Sequence, residues 1–289
     1  MTNTPPGSAR SGSTRPDGMR PGPAAPGGQR SRPVGDLLRE WRGRRRFSQL
    51  ALSLEADIST RHLSFVETGR SQPSREMVLR LCETLQVPLR ERNRLLLAAG
   101  YAPEFPEAPP DGPGLESLRT TVRAILTGHE PDPAVVLGSD WNLLEANAAV
   151  PLLLEGVSAK LLTAPVNVLR VALHPDGMAP RVLNFGRWRA HLLDRLRREA
   201  EWTGEGDLRA LLRELSDYPA PDPRGDDLAP EPTELAVPLR LRTSQGDLSF
   251  LSTVATFGTA VDVTVAGLAI ETFLPADPAT AEVLRGSAL

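Results

Sequence analysis

Between Val34 and Tyr101 the apolar positions recur with helical spacing. Val34, Leu37, Leu38 and Trp41 stand at i, i+3, i+4 and i+7, the stripe of an amphipathic helix. Ser48 is placed to N-cap a second helix running to about Ala56. Ser59 is placed to cap a third, which Gly69 closes as the glycine just past its end. Ser74 opens a fourth, with Glu76 in its first turn and Met77, Leu81 and Leu85 on one face. Pro88 sits at the first turn of a fifth, which carries Leu95 to Leu97 and ends at Gly100. The pattern predicts an all-α, five-helix domain over residues 33–101.

The texture differs on either side. Residues 1–32 are Pro, Gly, Ser, Thr and Arg with almost nothing to bury, which predicts a disordered arm. Its Arg10, Arg15, Arg20, Arg30 and Arg32 either add phosphate attraction or merely solvate the tail. Residues 102–114 form a Pro-rich linker, semi-rigid and extended. Behind it, 115–289 mixes periods. Leu115 to Thr127 reads as a helix, and Ala134 to Leu137 and Trp141 to Glu145 as short strands around Gly138-Ser139-Asp140. A helix is expected near Ala146 to Leu154, a basic helix over Trp188 to Arg198 and another over Asp207 to Leu215. Residues 219–232 are a Pro- and Asp-rich loop. Leu235 to Thr243, Leu248 to Phe257 and Val261 to Phe273 read as three strands ending the chain in an antiparallel sheet. The fold class is therefore multidomain: all-α in front, α+β behind.

Charge sharpens that division. The formal net charge of −3 hides seventeen Arg against nine Asp and Glu in residues 1–100, with sixteen basic against twenty-seven acidic side chains after them. Only the front half suits a polyanion. Lys160 is the single lysine, so nearly every cation is a guanidinium, which binds phosphate and base edges bidentately. The single cysteine, Cys82, excludes internal disulfides and Cys-cluster metal sites and reads as inert core. Without a bilayer-spanning apolar run or a signal-peptide core, a cytoplasmic protein that does not meet membrane is expected.

Ser48 to Ser74 carry the clearest chemistry. Two short helices joined by a tight turn, the second with an outward polar face, describe a helix-turn-helix. Ile58, Leu63 and Val66 point inward, while Thr60, Arg61, Ser64 and Phe65 share the opposite face. Arg61 suits guanine, and Thr60 or Phe65 a thymine methyl. Gln49 suits a phosphate at a helix N-terminus, and Arg44 to Arg46 with Arg70 suit phosphates without choosing sequence. Ser48, Gln49, Leu52, Ile58, Ser59, Ser64, Glu67, Gly69, Pro73 and Ser74 stand in register with the Xre/Cro-type helix-turn-helix family, which residues 34–87 resemble. The resemblance implies DNA contacts from Gln49 and from the start of the third helix (Ser59, Thr60), and an Arg42–Glu67 pair. Asp57 replaces the usual turn glycine but tolerates the left-handed conformation, and Ser53 replaces a small Ala at the helix crossing.

The rear half is similar to something equally specific. NLLEANAA, HPDGMAPRVLNF, RWRAHLLDRLRRE and LSFLSTVATFGTAVDVTVAGLAIETFLPAD, taken with the front motif, resemble the MmyB-like transcriptional regulators of actinobacteria over about Val34 to Leu284. That resemblance implies a PAS-like ligand-binding domain and a fatty-acid-like ligand, with no other cofactor. An apolar cup of Trp141, Leu143, Phe185, Trp188, Leu192, Phe250, Leu251, Val254 and Phe257 is the expected site. Asn147, Arg187 or His191 would be its polar handle. Ordinary core packing explains the same aromatics. The four histidines form no zinc motif, and no nucleophile elbow, P-loop or dinucleotide fingerprint occurs, so no enzyme is expected. His174-Pro175-Asp176-Gly177 reads as a turn. The expected partners are an operator in double-stranded DNA, a small apolar ligand and a second copy in a homodimer. The alternative reading makes the rear domain a ligand-free dimerisation or interaction module.

Overall fold

The computed structural model describes residues 32–109, 112, 115–221 and 236–287. The expected arm, save Arg32, and most of the loop at 219–232 lie outside the described residues.

Helices α1 (Val34–Arg44), α2 (Gln49–Glu55), α3 (Thr60–Glu67), α4 (Arg75–Thr84) and α5 (Leu89–Ala98) form where the periodicity places them. Ser48, Ser59 and Ser74 each cap a helix, their Oγ atoms accepting from Ala51, His62 and Met77 N–H. All five helices close with a residue in the left-handed region: Arg46, Asp57, Gly69, Gln86 and Gly100. At Asp57 its own N–H returns to Leu54 O and that of Ile58 to Ser53 O, at 3.3 and 2.9 Å, satisfying carbonyls the helix leaves open. Leu38, Trp41, Leu52, Leu63, Leu81 and Leu96 meet in one dry core. On α4 Leu81 and the capping Leu85 are fully buried as expected, joined by Val78 and Cys82, with Met77 at the edge of the core. Burial pushes the Cys82 thiol up to about 12, which keeps it inert. The α1–α3 crossing depends on Gly35, where a Cβ would stand 2.3 Å from the carbonyl oxygen of Val66.

Behind the linker come α6 (Glu116–Gly128), β1 (Ala134–Leu137), β2 (Leu143–Ala146), α7 (Val168–Leu173), α8 (Phe185–Thr203) and α9 (Gly206–Ser216). They are followed by β3 (Leu239–Thr243), β4 (Gly246–Thr256), α10 (Val263–Ala266), β5 (Ala269–Pro275) and α11 (Pro278–Ser287). The five strands form one antiparallel sheet in the order β2-β1-β5-β4-β3. Its central neighbours β1 and β5 are covered on both faces. Val135 and Leu137 face a core built with α7, α8 and α9, while Ala134 and Val136 face Val122 and Leu126 of α6.

Two expectations need correction. No α-helix forms over 146–154; only a 3₁₀ turn at Val150–Leu152 does, because Pro151 cannot donate and Asn147 is committed elsewhere. Val261 to Phe273 is not one strand. Asp262 caps α10, its Oδ1 accepting from Thr264 and Val265 N–H, so the chain coils once before β5 begins. Helices α7 and α11 were not foreseen. The turn at His174 is present, with Gly177 N–H donating to His174 O at 2.8 Å.

The Pro-rich segment is not free. The buried Asn93 side chain of α5 accepts from Glu104 and Phe105 N–H and donates to Phe105 O. On its other side Pro106 O accepts from Val263 N–H, and Ala108 exchanges hydrogen bonds with Asp262 and Thr264. The linker is stitched to α5 and α10 at once.

Candidate DNA-reading and ligand-binding sites

The helix pair α2–α3 is held from beneath by one buried carboxylate. Glu67, 1 % exposed, takes a bidentate pair from Arg42 at 2.6 and 2.9 Å and a third hydrogen bond from Gln49 Nε2 at 2.7 Å. Arg39 adds a contact to the Glu67 carbonyl. Burial pushes this carboxyl up, but Arg42, Gln49 and Arg39 pull harder and its pKa ends below the usual range. Arg42 and Glu67 are thus paired as the resemblance implies. Gln49 stands at the start of α2 as expected, yet its amide already donates to Glu67.

On the outer side of α3, Arg61 is exposed and lies over the half-exposed Phe65 ring at 5.3 Å, with Ser64 beside them. Thr60 shares a 2.7 Å hydrogen bond with Ser53, whose hydroxyl thereby bridges the turn. Ser59 is engaged as the cap, and Arg70 is exposed just past the helix. These side chains form one continuous face. Arg44 does not belong to it. It pairs with Glu40, lies over Trp41 at 4.7 Å and rests its guanidinium directly against Gly204, where a Cβ would push it aside. Arg45 likewise turns rearward, donating to Leu85 O and to Trp202 O and stacking 3.5 Å from the Trp202 ring centroid. The end of α1 meets the rear half of the chain through Arg45, which has the Trp202 ring and carbonyl as partners, and through Arg44, which lies against Gly204.

An apolar cup opens between the sheet and the helices. Its floor is Val135 and Leu137 of β1, Leu239 of β3 and Phe273 of β5; its walls are the apolar face of α7 and Trp188 and Leu192 of α8; Leu162 and Met178 come from the connecting loops. Its volume is about 90 Å³, well below the roughly 300 Å³ at which drug-sized ligand pockets begin. Trp141 enters the lining from a left-handed backbone position, φ 64°, and carries the Arg195 guanidinium over its ring at 4.4 Å. One ionisable side chain lines the cup, Glu271 of β5, 4 % exposed and bound to Arg195 at 3.0 Å. A roomier cleft of about 550 Å³ runs beside the linker, but Arg90, Glu107, Asp140, Arg170, Glu205 and Asp207 make it polar.

Of the residues expected to line the cup, Trp141, Leu143, Trp188 and Leu192 do. Phe185 and Phe250 are core outside the lining, and Leu251 is exposed. Val254 is 44 % exposed at the sheet's open side, and Phe257 packs under α6 on the opposite face. Asn147 is a staple, its side chain bonding Ala134 N–H and the carbonyls of Leu126 and Asp132. His191 stacks on Trp188 outside the lining, and burial together with Arg195 and Arg198 pushes its pKa down. Arg187, on α8, also lies outside the lining. Glu271, Phe273 and Val135 also line the cup and were not among the expected residues; β1 is apolar and buried throughout, so no alternation marked its cup-facing side.

No helix among the described residues is long and apolar enough to cross a membrane, and no cluster there of three or more His, Cys, Asp or Glu could hold a metal. No curated protein matches the chain. Two families do. A helix-turn-helix domain matches residues 33–95, and an MmyB-like transcription regulator ligand binding domain matches residues 118–286, more than half of the chain. Neither describes an enzyme. A DNA-binding module and a ligand-binding module thus lie in tandem, and the chain belongs to the MmyB-like transcription regulators.

Proposed function

We propose that the helix-turn-helix over 33–101 reads an operator through α3, that the domain over 115–289 holds a small apolar, fatty-acid-like ligand in its cup, and that α8 carries the ligand's effect between them. The continuous face of Arg61, Ser64, Phe65 and Thr60 supports the first part. Arg61 suits a guanine edge, and Thr60, its hydroxyl engaged by Ser53, keeps its methyl for thymine. Ser59, Gln49 and Arg70 flank the face for phosphates. A two-fold operator bound by a homodimer is the matching arrangement.

The observation that carries the regulatory part is the course of α8. Its nineteen residues span about 28 Å. Trp188 and Leu192 near one end wall the cup, and Trp202 at the other lies under Arg45 of the DNA-binding domain. Any ligand larger than the present cavity displaces that wall, and a packed helix moves as a unit. The displacement reaches α1 through Arg45 and Arg44.

The small cavity also favours a second reading, in which the cup is filled by its own side chains and the rear domain only joins partners. Native mass spectrometry of the purified protein separates the two. A co-purifying apolar molecule, or a thermal shift with added fatty acids or fatty alcohols, supports the sensor; a clean mass and no shift with either support the interaction module.

A further inference from the structure

Glu271 stands on β5, the central strand of the sheet, on the face that forms the cup floor. A carboxylate there is costly to desolvate unless it is fully partnered. Its one side-chain hydrogen bond among the described residues is to Oε2, which accepts from Arg195 Nη1 at 3.0 Å. Arg195 is held over Trp141 and is not among the residues that line the cup. A ligand at the floor therefore meets the Glu271 carboxylate in a lining whose other side chains are hydrophobic, Trp141 Nε1 being a buried donor without a hydrogen-bond partner among the described residues, while Arg195 lies against Oε2 and outside the lining.

We infer that the cup selects an apolar ligand with an uncharged hydrogen-bond-donating head, an alcohol or amide, which donates to Glu271, and that it disfavours a free carboxylate. The inference rests on the cup being the ligand site and narrows a fatty-acid-like molecule to its neutral relatives. An alcohol head donates to the carboxylate without disturbing Arg195. A carboxylate offers no proton and brings a second negative charge beside Glu271, a like-charge juxtaposition that disfavours it. The chain of such a ligand gains affinity with each methylene buried among Val135, Trp188 and Leu192, whatever its head. Head and chain are thus separable.

Isothermal titration of the full chain with 1-octanol and with octanoate at pH 7.5 tests this. The wild type is expected to bind octanol at least tenfold more tightly than octanoate. Glu271→Gln, which removes the charge at nearly constant shape and frees Arg195, is expected to tighten octanoate about tenfold while changing octanol much less. Equal affinities in the wild type, or octanoate binding that ignores Glu271→Gln, would overturn the inference and leave the cup as the ligand site. Binding of neither probe would overturn the cup reading beneath it. The wild-type comparison decides alone if the variant does not fold.

Discussion

Asp57 shows how a single position departs from its family pattern and is absorbed. At φ 51° it holds the turn between α2 and α3, where a left-handed non-glycine residue costs roughly 1 kcal/mol. Asp57→Gly should therefore stabilise the chain by about 0.5–1 kcal/mol, read as a higher urea midpoint at unchanged slope. A lower midpoint would mean that the Asp side chain contributes something the backbone does not show. Glu67 lies at the other extreme. Removing either partner of a buried ion pair leaves a charge stranded, so Glu67→Ala or Arg42→Ala should each cost about 3–5 kcal/mol in chemical denaturation. A loss under 1 kcal/mol would show the hub to be dispensable. Arg170 and the Tyr218 hydroxyl hold the Glu214 carboxyl down to about 2, against a usual value near 4.5. A depressed carboxylate contributes stability above its unfolded pKa and loses it as pH falls through the folded one. The chain should thus lose a share of its stability between about pH 4.5 and 2, and Glu214→Gln should flatten that slope. Because the pair is partly exposed, the share is on the order of a few tenths to 1 kcal/mol. An unchanged slope in the variant would remove Glu214 from the acid transition.

Among the elements, helix boundaries in the front half were legible because they are local. Ser48, Ser59 and Ser74 cap within their own sequence, and Gly69 and Gly100 end helices within theirs. Strand β5 was expected to start earlier because Val261-Asp262-Val263-Thr264-Val265 alternates apolar and polar residues as a strand does, and only the Asp262 cap distinguishes a helical turn from more strand. The 146–154 segment failed for a tertiary reason: Asn147 spends its side chain on backbone groups from β1, α6 and the loop before β1. Burial on both faces of β1 hid which of its residues face the cup. Glu271 was invisible because a lone Glu in a strand reads as an outward residue until the sheet order places β5 in the middle. Arg44 was misassigned because net charge names a partner for a surface, not for each side chain. Its actual neighbour, Gly204, lies at the end of α8. Truncating Trp202 to Ala should leave both the operator sequence and octanol binding near wild type while weakening their mutual influence.

At the scale of the whole molecule, the linker stitched by Asn93 and Asp262 and the α8 end gripped by Arg45 are two separate ties between the DNA-binding and ligand-binding halves. Such ties make the halves respond together, and coupling between two sites must be reciprocal. If cup occupancy changes operator affinity by some factor, operator binding changes ligand affinity by the same factor. The most direct measurement is the affinity of 1-octanol for the full chain, free and saturated with an operator selected from random DNA. The coupled regulator predicts a difference of at least fivefold in the wild type that shrinks toward none in Trp202→Ala. Equal octanol affinities with and without operator in the wild type would contradict it.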